Sequence, residues 1–153
     1  MKSNKSKYIM IILGLFLLIT VVIIISHKFS LNTTYSSVSY DKLMAVLEHK
    51  GFSIDSKAVD KDILEGIRNY VTIDEKDNIS VYLYKNNKAM ERDAGYISPD
   101  GFGYDKLIKH VSVDWIAPPH FYKMDNMIVL YCGEREEIIN CLKEFMGEQF
   151  AGQ

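Results

Sequence analysis

Residues 116–133 read Ile-Ala-Pro-Pro-His-Phe-Tyr-Lys-Met-Asp-Asn-Met-Ile-Val-Leu-Tyr-Cys-Gly, and how this stretch is read decides the fold. Its second half, Met127 to Cys132, is apolar on both alternating faces, the pattern of a strand inside a sheet. Its first half opens with two prolines. Neither can donate a ladder hydrogen bond, and each fixes φ near about −65°. Pro118 and Pro119 are therefore expected to end a strand over His110 to Ile116. His120, Phe121, Tyr122 and Lys123 then read as a stiffened loop feeding the central strand.

Working upstream, "IRNYVTID" and "NISVYLYK", separated by "EKD", carry a hairpin signal. Ile67, Val71, Ile73, Ile79, Val81 and Leu83 fall on one face. Arg68, Tyr70, Tyr82 and Tyr84 fall on the other. Helical periodicity marks Ser39 to Lys50, with Leu43, Val46 and Leu47 inward. A second helix starts at Asn86 or Asn87 and runs to about Ile97. A third covers Glu134 to Met146, with Ile138, Leu142 and Phe145 inward and Glu134, Glu136 and Glu137 suited to the positive end of the helix dipole.

The expected fold class is α+β in the order helix, β-hairpin, helix, β-hairpin, helix. The implied architecture is an antiparallel four-stranded sheet with its helices on one face. A strand–helix unit occurs twice, in "ISVYLYKNNKAMERDAGYI" and "MIVLYCGEREEIINCLKEFM", and suggests duplication.

The N-terminal part sets the location. Residues 1–7 carry Lys2, Lys5 and Lys7, and residues 8–25, "YIMIILGLFLLITVVIII", contain no charge. Eighteen residues at about 1.5 Å each span about 27 Å, close to the hydrocarbon core of a bilayer. A transmembrane helix is expected, because its backbone must satisfy its own hydrogen bonds. A cleaved signal peptide is the rival, but the run is long for one and no small-x-small site follows. Positive-inside bias puts the N-terminus in the cytoplasm. Residues 26–38 read as a linker and 39–153 as an extracytoplasmic domain. All twenty acidic residues but only fifteen of the eighteen basic ones follow the span, a net charge of −5. That balance argues against nucleic acid as a partner.

At "VYLYKNNKAMERDA", "PHFYK", "IVLYCG" and "GEQFAG" the chain resembles an uncharacterised family of small exported, membrane-anchored or lipoprotein-like proteins of Gram-positive bacteria. The resemblance covers about Leu64 to Gly152. It implies an extracytoplasmic location and brings no activity, cofactor or catalytic residue. Members of that family commonly begin with a lipid-attachment cysteine; this chain has none there and is expected to use its helix as anchor.

Chemistry-bearing motifs are sparse. No Walker, G-x-S-x-G or paired metal-ligand motif occurs, so no cofactor, metal or catalytic residue is expected. Cys132 and Cys141, the only cysteines, are separated by a turn and about two helical turns, too far for a disulfide. The candidate binding face comprises Arg68, Tyr70, Tyr82, Tyr84, His110 and Asp114, with His120 and Tyr122 at its edge. Tyrosine offers apolar area with a polar tip, suited to sugar or peptide contacts. It is equally an ordinary residue of half-solvated strands. The expected function is binding of a protein, peptide or cell-envelope component. The alternatives are an envelope enzyme, hydrolase-like, with a site near His120, and an accessory subunit of a membrane complex.

Overall fold

A computed structural model describes residues 38–152. The expected membrane span at 8–25 lies outside them, as do residues 1–7 and nearly all of the linker. No helix among the described residues is long and apolar enough to cross a membrane.

The elements are α1 (Val38–His49), β1 (Ile54–Val59), β2 (Ile67–Ile73), β3 (Asp77–Leu83), α2 (Asn87–Ala94), β4 (Gly103–Lys106), β5 (Lys109–Ser112), β6 (Pro119–Met124), β7 (Met127–Cys132), α3 (Glu136–Met146) and β8 (Ala151–Gly152). The α+β class holds, with three helices among the described residues. The sheet has six strands rather than four, in the order β1-β2-β3-β7-β6-β8, and every neighbouring pair is antiparallel. Strands β4 and β5 form a separate two-stranded hairpin.

The expected loop at "PHFYK" is a strand. Pro119 opens β6 opposite Cys132, and the ladder continues through His120↔Tyr131 to Met124↔Met127. A proline is tolerated at the first position of a strand because the ladder loses only one donor there. Asp125 and Asn126 close the hairpin, with Asp125 at φ +52°, a conformation that Asp and Asn accept more readily than other side chains. β7 lies between β3 and β6, as its two apolar faces require. The segment 110–116 correspondingly leaves the main sheet, and His110 to Ser112 pair with β4 instead.

The helices do not share one face. Leu43 and Leu47 of α1 and Ile138, Leu142 and Met146 of α3 pack with Val71, Ile73, Ile79, Val81, Leu83, Val129 and Tyr131. Met90 and Ala94 of α2, together with Tyr104 of β4, cover the opposite side over Tyr82, Tyr84, Ile128, Leu130 and Phe121. The sheet is thus sandwiched between two cores. This arrangement also removes the suggested duplication. A two-fold axis through the sheet between β3 and β7 would place α2 and α3 on the same face, and they lie on opposite ones.

The motifs "IVLYCG", "PHFYK" and "QFAG" supply three neighbouring strands, β7, β6 and β8. β8 pairs His120↔Gly152 and Phe121↔Ala151, and Phe150 packs its ring 6.1 Å from that of Phe121. Gly152 sits at φ +103°, and a Cβ there would overlap the Pro119 carbonyl oxygen. Gly152→Ala is therefore expected to release β8 and to cost about 1–3 kcal/mol. Hydrogen exchange reads this directly as lost protection of the Phe150 and Gly152 amides, which donate to Phe121 and Pro99. Unchanged protection would contradict the packing.

Candidate functional site

The proposed tyrosine face divides once the chain is folded. Tyr82 and Tyr84 are buried. The Tyr82 hydroxyl donates to Asp62 at 2.9 Å and that of Tyr84 to Asp93 at 2.7 Å. Burial and these carboxylates raise both phenols far above the usual tyrosine range. They belong to the core beneath α2 and β4, not to the expected solvent-facing tyrosine face.

His110 is exposed on the separate hairpin and pairs with Asp105, its cross-strand neighbour, at 2.9 Å. Asp114 is exposed in the connection after β5. Tyr122 lies in the core on the opposite side of the sheet. His120 shares that side and stacks on Tyr131 with ring centroids 6.1 Å apart. It is 7% exposed. Its Nε2 donates to the Gly133 carbonyl at 3.1 Å, and its Nδ1 is hydrogen-bonded to the Gln149 side chain at 2.8 Å. Both ring nitrogens are engaged in tying β6 to the turn after β7 and to the segment before β8, so neither is presented to a substrate.

Arg68 and Tyr70 remain together, beside Ser80. They line an open groove of about 370 Å³ with Trp115, Leu130 and Cys132. Its construction follows from strand alternation. Arg68 and Tyr70 project from β2, Ser80 from β3 and Leu130 and Cys132 from β7, all on the side where α2 ends and leaves the sheet uncovered. The Arg68 guanidinium donates to Ser80 Oγ at 2.9 and 3.1 Å and meets Asp62 at 3.1 Å. It also lies 5.7 Å from the Tyr70 ring centroid and 6.0 Å from that of Tyr82, within reach of cation–π attraction. These contacts fix a charged planar group in the groove without burying it.

Trp115 was absent from the candidate face. Its indole N–H donates to the Gly101 carbonyl at 2.9 Å, and its ring meets Phe121 edge-on at 6.2 Å. Both contacts hold a large aromatic surface against the groove, and the following Ile116 is fully exposed. The sequence signal was available: a single tryptophan next to a proline pair, in a segment that alternates as a strand.

Both cysteines are free. They lie on opposite faces of the sheet, Cys132 beside the groove and Cys141 in the core under α3. Burial pushes the Cys132 thiol up to about 11 and raises Cys141 as well. Each stays protonated at neutral pH, and a thiol is a poor nucleophile compared with its thiolate.

A second depression lies where the 60–66 loop passes α2. Its buried carboxylate is Asp93, 2% exposed. Asp93 accepts from the hydroxyls of Tyr84 and Tyr104, each at 2.7 Å, and from the Glu65 amide at 2.8 Å. The clue to this residue was its place on the apolar stripe of the helix, between Met90 and Ala94.

Comparisons with protein-family models, with curated proteins and with solved structures give no match to this chain.

Proposed function

We propose that the domain is a membrane-anchored, extracytoplasmic binding module that holds a protein, peptide or cell-envelope component in the Arg68–Tyr70–Trp115 groove. The carrying observation is the composition of that groove. A half-buried aromatic pair lines the groove with a guanidinium already oriented by Ser80, Asp62 and two tyrosine rings. Pre-oriented polar groups among apolar walls are what a recognition site needs, because little conformational freedom is lost on binding. Arg, Tyr and Trp are also the residues that most often dominate binding energy. The exported location rests on the charge-free run at 8–25, the lysines before it, and the resemblance to an exported family.

Catalysis near His120 draws no support from the geometry, since that ring is occupied by structural hydrogen bonds. The raised thiol of Cys132 weighs against covalent chemistry in the groove. Trp115→Ala and Tyr70→Ala are each expected to weaken capture of the natural partner by about tenfold or more. Both side chains are partly exposed, so the thermal midpoint should move by only a few degrees. Capture that survives both changes in folded protein would remove the groove from the account.

A further inference from the structure

We infer that the second depression is a binding site for a phosphate-bearing group, separate from the groove. It is a cleft of about 230 Å³ lined by Lys61, Glu65, Tyr84, Lys85, Arg92 and Lys106, among others. At about 30 Å³ per water it holds roughly eight waters, a volume suited to a small head group. Gly66 sets its shape. A Cβ on Gly66 would come within 2.9 Å of Tyr82 Cβ and 3.0 Å of the Tyr84 ring, so only a glycine lets the loop lie flat on these tyrosines.

The charge is what identifies the ligand. The lining carries four cations, Lys61, Lys85, Arg92 and Lys106, against the two carboxylates Glu65 and Asp93. The local balance of +2 stands out on a chain whose net charge is −2. Glu65 already meets Lys106 at 2.8 Å, and Asp93 accepts from three neutral donors. Lys61, Lys85 and Arg92 have no ion-pair partner among the described residues. With Lys106 and Glu65 paired, these three cations set against Asp93 leave a surplus of two positive charges, which exceeds what a single carboxylate would neutralise and matches a phosphomonoester dianion. The Arg92 fork suits two phosphate oxygens at once, and the lysines act as point charges beside it. The aromatic rings of Tyr84 and Tyr96 complete the wall.

The phosphate could come from a soluble ester or from a lipid head group, and the test separates them. Full-length protein in a non-ionic detergent is titrated with glycerol 3-phosphate, with glycerol as the neutral control, and followed by amide chemical shifts. Saturable shifts are expected at residues 61–67 and 83–96. Arg92→Gln and Lys85→Gln should each weaken binding about tenfold, while Trp115→Ala should not alter it. Flotation with phosphatidylcholine vesicles, with and without phosphatidate, supplies the second arm. Arg92-dependent flotation with phosphatidate assigns the lipid source, and binding of the soluble ester alone assigns the free one. Diffuse, non-saturating shifts, or an affinity untouched by both substitutions in folded protein, would overturn the site.

Discussion

Replacing Asp93 by alanine is expected to remove about 3–5 kcal/mol of stability. The carboxylate is 2% exposed and joins four parts of the chain: α2, which carries it, the residue after β3 through Tyr84, β4 through Tyr104, and the 60–66 loop through the Glu65 amide. Alanine leaves two buried hydroxyls and one amide without an acceptor. Each orphaned group costs about 1–3 kcal/mol, less where water can enter. Asp93→Asn keeps one carbonyl acceptor and should lose less. Urea denaturation of the two variants reads the difference. A loss below about 1 kcal/mol for the alanine variant would show that the network does not hold α2 and β4 to the sheet.

The second large effect is an alkaline limit to folding. Burial raises the phenols of Tyr82, Tyr84 and Tyr104, first by removing them from water and then by setting them beside Asp62 or Asp93. Tyr131 is pushed up to about 12, again mainly by burial, and Cys132 to about 11. All these folded values lie above the ordinary ones of 10.0 for tyrosine and 9.0 for cysteine. The folded chain therefore keeps protons that the unfolded chain releases. The stability these groups contribute is complete below about pH 9, starts to fall there with Cys132, and falls faster above pH 10. Each group titrating only in the unfolded chain removes about 1.4 kcal/mol per pH unit. Four tyrosines together give a slope of about 5 kcal/mol per unit, enough to unfold a typical domain before pH 12. Circular dichroism should show a cooperative transition, and tyrosinate absorbance should rise with it. Tyrosinate absorbance reaching the full complement of ten tyrosines in a still-folded chain would contradict the burial.

These two effects concern the residues whose roles were hardest to read from the sequence. Alternation placed Tyr82 and Tyr84 on the less aliphatic side of β3 correctly. It could not show that α2 and β4 would cover that side, because a tyrosine over a second core and a tyrosine facing water leave the same pattern. Arg68 and Tyr70 sit on the same side but beyond the reach of α2, and they alone of the eight candidates meet in the groove. The three helices and the β2–β3 hairpin were legible because each carries its own period and its own turn or cap. Asn86, for instance, accepts from the Ala89 amide at the start of α2.

The β6 strand was obscured by its prolines. Pro118 and Pro119 outweighed two opposing signals, the β-rich "HFYK" and the Asp125-Asn126 turn that follows it. Their effect on the ladder is confined to its first position, and the strand is secured from both sides by β7 and β8. The histidine in that motif is likewise structural. Its neighbours Gln149 and Gly133 are distant in sequence, and only the closed sheet brings them to its ring.

The claim that the groove receives a ligand outside the cell has one direct test. A photoreactive phenylalanine analogue is placed at position 70 in the full-length protein and, as a control, at Glu137 on α3, which packs on the other face of the sheet. Intact cells are then irradiated. The account predicts a discrete adduct from position 70, lost when Trp115 is also changed to alanine, and none from position 137. The same adducts from both positions, or none from position 70 in correctly folded and abundant protein, would contradict it.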